Sequence, residues 1–389
     1  MKTRKFAVAL ATFASAALLA ACGNVSTTNT SAAGSSVGDT FKIGYNLELS
    51  GAVSSYGQTE EKGANLAVKE INAAGGIDGK KIEVITKDNK SETAEAATVA
   101  TSLASEGANV VIGPATSGAS AASIPALTSA GVPMITPSGT QTNLVVNDKG
   151  EVQEYFFRTT FTDGYQGQIM AKYATENLSA KKVVLYFDNS SDYGKGVAEA
   201  FKKAYTGEIV SEITFASGDK DFQAALTKLK DKEFDAIIML GYYNETGTIV
   251  KQARGLGIDK PILGSDGFDS PQFTELATAS AASNVYYLSG FVTSASEKAK
   301  AFYDAYVKEY NEEPSMFSAL AYDSVYMAAE AAKGAADSAA VKANLAALKD
   351  FKGVTGTMSV DKEHNVIKSV YVVSLTNGEE SSVDTISID

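Results

Sequence analysis

Residues 110–120 read Val-Val-Ile-Gly-Pro-Ala-Thr-Ser-Gly-Ala-Ser, a short apolar run followed by a turn rich in glycine and hydroxyl groups. Such an apolar run is typical of a strand that is buried on both faces of a parallel sheet. A helix is predicted over residues 117–130, and a second strand over residues 132–136. This strand–helix–strand order predicts a parallel sheet with helices covering both of its faces.

The same alternation of strand and helix continues upstream of this stretch. Residues 41–47 alternate apolar and polar side chains as a strand does, and residues 64–71 place apolar side chains on one helical face. We predict that this helix begins near Glu60 and Glu61, whose charges suit its positive end, and that it ends at residues 75–76, Gly-Gly.

Downstream the pattern starts again, which indicates a second α/β domain. Strands are predicted over residues 183–187, 209–215, 234–240 and 261–264, with helices between them. The last third is mainly helical, and one more strand is predicted over residues 366–375. Because 389 residues are too many for one ordinary core, we expect two similar α/β domains.

The N-terminus has the pattern of an export signal. A basic segment at residues 2–5 precedes an apolar run at residues 6–19, which is too short to span a bilayer as a permanent helix. We therefore predict that residues 1–21 form a signal peptide that is removed.

Cys22 is the only cysteine of the chain and follows residues 19–21, Leu-Ala-Ala. This sequence resembles the bacterial lipobox, in which the thiol is lipidated and the peptide is cut just before it. A single thiol cannot form an internal disulfide, so lipidation is the simpler explanation of Cys22. Residues 22–40 are rich in small polar residues, and we predict a flexible tether there. The protein is thus expected to be lipid-anchored on the outer face of the cell membrane.

The net charge of the chain restricts its partners. The formal charge is −12 and the pI is near 4.8. Nucleic acids and anionic membrane surfaces are bound through basic patches, so this balance argues against both.

The residue inventory also argues against an enzyme. The only histidine, His364, lies in an acidic stretch that we predict to be an exposed turn. With one histidine and one lipidated cysteine, neither a zinc site nor a Cys/His pair can be assembled. No Gly-x-Ser-x-Gly elbow is present, and the pair Glu60-Glu61 is interpreted as a solvated helix end rather than as a glycosidase dyad. We expect no catalytic residue, no metal and no cofactor.

Two turns in the first half could bind an anion. The turn of residues 113–120 leads into a helix N-terminus, where backbone N–H groups and the hydroxyl of Ser117 suit a carboxylate. The turn of residues 136–140 exposes further hydroxyl and backbone groups. Ordinary N-capping is the alternative explanation of Ser117.

The second half offers groups of opposite polarity. Residues 240–243 and 264–267 each close a predicted strand. The carboxylate of Asp266, beside a tyrosine, would suit an ammonium group, although Asp266 alone could be a turn residue. One half thus favours an anion and the other a cation, and a zwitterion between two lobes would satisfy both.

A resemblance covers nearly the whole mature chain. The sequence resembles the branched-chain amino acid binding proteins of ABC importers, which have the type I periplasmic-binding fold. The motifs that carry this resemblance are residues 50–51 (Ser-Gly), 56–57 (Tyr-Gly), 70–80 (Glu-Ile-Asn-Ala-Ala-Gly-Gly-Ile-Asp-Gly-Lys), 111–114 (Val-Ile-Gly-Pro), 134–137 (Met-Ile-Thr-Pro), 158–160 (Arg-Thr-Thr), 192–196 (Asp-Tyr-Gly-Lys-Gly) and 218–222 (Gly-Asp-Lys-Asp-Phe). Each motif is weak alone, but the order and spacing of the set are specific.

The resemblance implies roles for the first-half residues. Ser117 matches the serine that meets the ligand carboxylate. The backbone of Ser138 and the hydroxyl of Thr140 match a second loop that contacts the carboxylate and ammonium groups. Tyr56 and Phe317 match apolar or aromatic wall positions, for which simple core packing is an equal alternative.

It also implies roles for the second half. Tyr193 matches a ring that closes over the ligand. Tyr243, or Tyr242 if the gap falls differently, matches an ammonium-facing tyrosine. Asp266 stands where the family usually has Glu. Since its side chain is one methylene shorter, a bridging water could replace direct contact with the ammonium.

The architecture that the resemblance implies is α/β, with two doubly wound parallel-sheet lobes joined by a three-strand hinge. The chain would cross between lobes near residues 161, 290 and 360. Lobe 1 would comprise residues 41–161 and 291–360, and lobe 2 residues 162–290 and 361–389. We expect a monomer whose partners are a small amino acid, preferably a branched-chain one, and the permease subunits of an ABC importer.

Two alternatives keep this fold. A sensory receptor ectodomain would continue into transmembrane and signalling segments, whereas this chain ends in polar residues at Asp389. A binding protein for an amide, a urea or an aromatic acid is the more serious alternative. Loss of either the anion turn or the acidic partner would favour it, and both are present here.

Overall fold

A computed structural model of the protein describes residues 34–388. The predicted signal peptide, Cys22 and most of the predicted tether lie outside the described residues. Over residues 34–388, none of the helices has both the length and the apolar character that a membrane crossing requires.

The helices and strands alternate through most of the chain, as the sequence pattern predicts. The strands are β1 (Phe41–Leu47), β2 (Ile82–Asp88), β3 (Val110–Ile112), β4 (Met134–Thr136), β5 (Phe156–Arg158), β6 (Lys182–Asp188), β7 (Glu208–Phe215), β8 (Ala236–Leu240), β9 (Ile262–Gly264), β10 (Val285–Ser289), β11 (Phe351–Gly353), β12 (Gly356–Met358), β13 (Val370–Thr376) and β14 (Glu379–Ile386). The helices are α1 (Ser54–Ala73), α2 (Thr93–Ser105), α3 (Ser117–Ala130), α4 (Asp163–Glu176), α5 (Asp192–Ala204), α6 (Gln223–Thr227), α7 (Tyr243–Gly255), α8 (Pro271–Ala277), α9 (Glu297–Tyr310), α10 (Met316–Ala332) and α11 (Ser338–Ala346).

The first sheet has five parallel strands in the order β2-β1-β3-β4-β5. β1 lies between β2 and β3 in this sheet. Its Ile43 pairs with Val84 of β2 on one side and with Val110 of β3 on the other. The apolar run of β3 is fully buried, as expected for a strand covered by helices on both faces. α10 packs against α1 and buries Val325 and Ala328 in the core that also contains β1.

The second sheet has seven strands in the order β14-β13-β10-β9-β8-β6-β7. Strands β6 to β10 pair in parallel, which confirms the predicted parallel core. β13 is antiparallel to β10, and β14 is antiparallel to β13. The prediction of one final strand over residues 366–375 missed β14, because its sequence lacks apolar alternation and its side chains are largely exposed at the sheet edge.

The sequence analysis predicted an exposed turn at His364, and this prediction is wrong. Its ring is buried and stacks on Phe157 of the first sheet, with ring centroids 4.2 Å apart, and its Nδ1 lies 3.0 Å from the carbonyl oxygen of Phe156. Burial holds the pKa of His364 below its usual value. His364 and Val366 therefore pack with the core of the first sheet. The three crossings near residues 161, 290 and 360 stay predictions.

The end of the predicted tether is held against the body of the protein. The backbone N–H of Val37 donates to Ala336 O at 2.9 Å, and the side-chain amide of Asn109 donates to the carbonyl oxygens of Ser35 and Ser36 at 3.1 Å. These bonds use backbone groups, which small polar residues offer as well as any others. Composition therefore could not indicate this docking.

Candidate ligand-binding site

The candidate site lies where strands of both sheets end. An enclosed space between mostly buried side chains is lined by segments that follow β3 and β4 on one side and β8 and β9 on the other. In open α/β sheets, ligands bind outside the carboxyl ends of the strands. Its lining residues are Tyr56, Ala115, Thr116, Ser117, Ser138, Thr140, Tyr193, Tyr242, Asp266, Gly267 and Phe317.

Larger depressions exist, such as the one bounded by Glu70, Lys298 and Tyr322. That depression lies beside α1, α9 and α10, away from the strand ends, and opens to solvent. We therefore assign the site to the small enclosed space.

The first-lobe wall is built around the N-terminus of α3. Ser117 is the first residue of the helix and is buried. Its Oγ accepts a hydrogen bond from the backbone N–H of Gln141 at 3.2 Å, which leaves the hydroxyl proton free to donate. The first backbone N–H groups of a helix lack intrahelical partners and carry a partial positive charge. This wall is suited to a carboxylate.

The second loop of this wall contains Ser138 and Thr140. The hydroxyl of Ser138 is turned inward, within 2.6 Å of Glu60 Oε1 and 2.9 Å of Ala115 O. The hydroxyl of Thr140 is buried and has no hydrogen-bond partner among the described residues. Because a buried polar group without a partner costs free energy, Thr140 is available to bond a ligand.

Arg158 supports the loop that contains Ser138 and Thr140 through hydrogen bonds to its backbone. Its guanidinium is fully buried and donates to Gly139 O at 3.1 Å and to Gln141 O at 2.9 Å. Burial lowers the pKa of Arg158 to about 10, which leaves it charged at neutral pH. In the sequence, Arg158 stands out only as part of the family motif of residues 158–160. Its supporting role is evident only from the three-dimensional structure.

The second-lobe wall carries the opposite charge. Asp266 follows β9 in a short helical turn and is 2% exposed. The hydroxyl of Tyr193 donates to its Oδ1 at 2.5 Å, and its backbone N–H donates to Gln166 Oε1 at 2.7 Å. Burial raises the pKa of Asp266 to about 6, so it is mainly ionised at pH 7. No lysine or arginine of residues 34–388 lines the space, so Asp266 has no cationic side chain beside it there.

The structure distinguishes the two adjacent tyrosines. Tyr242 lines the space, and its ring stacks on Tyr193 with centroids 5.0 Å apart. Tyr243, the residue we favoured from the sequence, is not in the lining. As the first residue of α7 it points toward the first lobe, where its hydroxyl accepts a hydrogen bond from Ser55 N at 3.2 Å. The lining therefore favours Tyr242, the alternative left open by the sequence, because the strand-to-helix turn sends consecutive side chains in different directions. Contact of either tyrosine with a ligand stays a prediction.

Aromatic rings form the remaining wall. Tyr56 stacks on Phe317 with ring centroids 4.2 Å apart, and Tyr242 meets Tyr56 edge-on at 5.8 Å. Both predicted wall residues therefore lie at the space, where they offer an apolar surface to an aliphatic side chain. Their contact with a ligand, like that of the other lining residues, stays a prediction.

Two buried carboxyl groups lie behind the first-lobe wall, and the sequence analysis assigned neither of them to the site. Glu48 follows β1 and accepts hydrogen bonds from Ala115 N at 2.9 Å and from Thr116 N at 3.0 Å. Glu60 is fully buried beside Ser138, so its interpretation as a solvated helix end was wrong. α1 begins at Ser54 rather than near Glu60, which places Glu60 inside the helix. Burial raises the pKa of both carboxyl groups above the usual value.

Two α/β lobes that enclose a buried helix N-terminus, a carboxylate bonded only by a tyrosine hydroxyl among the lining side chains, and an aromatic wall are typical of a solute-binding protein. Comparison with known families agrees with this class. The profile of the periplasmic binding protein family matches residues 40–380, and the chain belongs to this family. Its members bind solutes and are not enzymes, in agreement with the sequence analysis.

Several similar proteins are named as amino acid binders. The Leu/Ile/Val-binding protein BraC3 of Rhizobium johnstonii is 31% identical over 315 residues, which are 80% of this chain and 84% of that protein. The substrate-binding protein LivJ of a branched-chain amino acid transporter from Streptococcus pneumoniae was solved in complex with isoleucine. It is 58% identical, with a TM-score of 0.87 over 89% of this chain and 99% of that chain. The leucine-binding protein LivK of Thermotoga maritima is 31% identical, with a TM-score of 0.82 over 90% of this chain and 98% of that chain.

Proposed function

We propose that this protein binds a branched-chain L-amino acid between its lobes and delivers it to an ABC importer outside the cytoplasm. The observation that carries the proposal is the opposed polarity of the enclosed space. An anion-binding helix end lies on one side, the carboxylate of Asp266 on the other, and aromatic rings lie between them. The similarity to isoleucine-bound LivJ supports a branched aliphatic ligand.

In this proposal each part of the ligand has its own partners. The carboxylate accepts hydrogen bonds from Ser117 and from the free N–H groups of α3. The ammonium group bonds Thr140 and Asp266, either directly or through a water at the shorter aspartate. The aliphatic side chain packs against Tyr56 and Phe317, and burial of such a side chain contributes about 1.5 to 3 kcal/mol.

Closure of the two lobes completes the site. The carboxylate partners and the ammonium partner Asp266 lie on opposite lobes, so only the closed arrangement satisfies both ends of a zwitterion. The closed state is also held by bonds that cross the cleft. The Tyr56 hydroxyl donates to Gly267 O at 2.5 Å and accepts from Tyr243 N at 3.2 Å, and Ser55 Oγ lies 2.9 Å from Ser270 Oγ.

Removal of the Tyr56 hydroxyl tests this closure. Tyr56→Phe keeps the aromatic wall but leaves Gly267 O and Tyr243 N without their cross-cleft partner. We expect the affinity for the amino acid to fall about tenfold, near the 1.4 kcal/mol of one to two hydrogen bonds. Calorimetric titration measures the affinity, and small-angle scattering measures the compaction on binding.

Tyr205→Phe is the matched control for Tyr56→Phe. The Tyr205 hydroxyl bonds Ala180 O within the second lobe at 3.0 Å, so its loss should leave the affinity unchanged. Equal affinities for wild type and Tyr56→Phe would contradict a role of this hydroxyl in closure.

We further propose that the protein acts as a monomer held to the outer face of the membrane by a lipid on Cys22. The lipobox-like sequence supports the anchor, and the family supports an extracytoplasmic site of action. Mass spectrometry of the mature N-terminus would test the anchor, since a Cys22→Ala variant should carry no diacylglycerol and leave the membrane fraction.

The proposed ligand is tested by titrating residues 23–389 with all twenty amino acids. Calorimetry suits the measurement, because the chain contains no tryptophan for a fluorescence signal. We expect saturable heat with isoleucine, leucine or valine and none with aspartate or glutamate. Silence from all twenty, with folded protein stripped of co-purified ligand, would overturn the proposal in favour of an amide or an aromatic acid.

A further inference from the structure

A second buried carboxyl group lies beside the candidate site. Asp163 is the first residue of α4, directly after the chain leaves the first sheet, and is 1% exposed. Its backbone N–H donates to the carbonyl oxygen of Thr140 at 2.8 Å. Neither carboxyl oxygen has a hydrogen-bond partner among the described residues.

The groups that surround Asp163 offer it no ion pair. Arg158, from the first lobe, donates its terminal nitrogens to Gly139 O and Gln141 O. Its Nε has no partner among residues 34–388, and its charge acts on Asp163 without a hydrogen bond between them. α5 approaches through Gly196, where a Cβ would overlap Asp163 Oδ2, and its charged residues Glu199 and Lys203 are exposed. The remaining titratable neighbours are Asp266 and Tyr242, which are acidic groups themselves.

The unpartnered groups near Asp163 point to a ligand. The hydroxyl of Thr140 and the amide nitrogen of Gln166 are also buried without partners in the described part of the chain. Thr140 lines the enclosed space, and Gln166 bonds the backbone of Asp266. The partnerless atoms of Thr140 and Gln166 therefore lie in or directly against the segments that carry Thr140 and Asp266, the two predicted ammonium partners.

An ionised carboxylate that is buried without a partner is too costly to persist. It takes up a proton instead, and a cation that arrives beside it reverses this. We propose that Asp163 is a second carboxyl group at the ammonium end of the site, and that amino acid binding expels its proton to the solvent. The ligand enters as a zwitterion and the complex retains both charges of the ligand, so one proton leaves per molecule bound.

The titration behaviour of the group agrees with this geometry. Burial raises the pKa of Asp163 to about 8; the nearby Thr140 hydroxyl and the Arg158 charge lower it, and the charge of Asp266 raises it further. At pH 7 about nine-tenths of the ligand-free molecules therefore hold the proton. Asp266 is largely ionised at that pH and contributes about a tenth of a proton.

The inference rests on the proposed amino acid ligand, and its test separates the two. Isoleucine is titrated into the wild type at pH 7 in buffers of low and high ionisation enthalpy, and the difference in heat counts the protons released. We expect about 1.0 proton per ligand for the wild type, the sum of the Asp163 and Asp266 shares, and about 0.1 for Asp163→Asn. The wild-type affinity should rise with pH up to about 8 and then level off, while that of Asp163→Asn stays flat between pH 7 and 9.

Glu245→Gln is the matched control, since Glu245 is a buried carboxyl of the same lobe that accepts from Gly218 N at 2.9 Å. It should release the wild-type number of protons.

Thermal melting without ligand gives an independent readout of the bound proton. A carboxyl with a raised folded-state pKa loses stability as pH rises toward that pKa. Asp163→Asn should therefore melt above the wild type at pH 9, by less at pH 6, and equal it only near pH 4.

Each outcome has one meaning. Isoleucine binding without proton release in the wild type, or with full release in Asp163→Asn, overturns the inference and leaves the proposed function intact. Absence of any binding heat overturns the proposed function, and the melting comparison then still decides whether Asp163 holds a proton.

Discussion

Replacement of Asp266 by asparagine is expected to weaken amino acid binding by about 30-fold to several thousand-fold. The substitution keeps the shape of the side chain but removes one of the two carboxylates that we propose at the ligand ammonium. Removal of one member of a buried charge pair costs about 2 to 5 kcal/mol, and each 1.4 kcal/mol is a factor of ten in affinity. Calorimetric titration with isoleucine measures this loss.

The wild type should show the same loss at low pH. Because the pKa of Asp266 is near 6, this carboxylate takes up a proton as the pH falls from 7 to 5. The affinity for the amino acid should therefore fall over the same pH range. Asp269→Asn is the matched control. Asp269 lies three residues further along, outside the lining, and its Oδ2 accepts from Ser289 Oγ at 2.8 Å. Wild-type affinity in Asp266→Asn would remove Asp266 from the site.

Replacement of Arg158 by methionine is expected to lower the free energy of unfolding by about 2 to 5 kcal/mol. The carbonyl oxygens of Gly139 and Gln141 would lose their donors in a fully buried position, and each such loss costs about 1 to 3 kcal/mol. The same loop carries Ser138 and Thr140, so affinity should also fall by more than about tenfold. Denaturant unfolding and calorimetry measure the two effects.

Arg254→Met separates loop positioning from general stability. Arg254 also donates to backbone carbonyls, those of Ile258 and Ser283 among them, but it lies in the second lobe away from the enclosed space. It should destabilise the protein and leave the affinity of the folded fraction unchanged. An Arg158→Met protein that binds isoleucine as tightly as wild type would contradict the positioning role.

Local patterns in the sequence were sufficient to predict most of the fold. Strands covered on both faces need continuous apolar runs, and helices that pack on them need one apolar face, so β3, β8 and the helices around them were recognisable. The hydroxyl-rich turn at Ser117 and the acidic turn at Asp266 were recognisable for a related reason. Turns that follow parallel strands meet at one edge of a sheet, where ligands bind.

Signals that depend on partners far along the chain were missed or misread. β14 is polar and is defined only by the backbone bonds that it forms with β13. His364 lies in an acidic stretch, yet it is buried by Phe157, more than two hundred residues earlier. Composition describes the stretch itself and not the surface against which it packs.

The sequence by itself determined the class of the protein, because the order of strands, helices and turns is a local property that periodicity and residue type reveal. Only the tertiary structure decided which side chains face the enclosed space. Tyr242 rather than Tyr243 lines it, Glu60 is buried behind it, and the Asp163 carboxyl beside it has no hydrogen-bond partner within residues 34–388. The direction of a side chain at a turn and the dielectric around a carboxyl group are set by contacts between distant segments, and these exist only once the lobes have packed together.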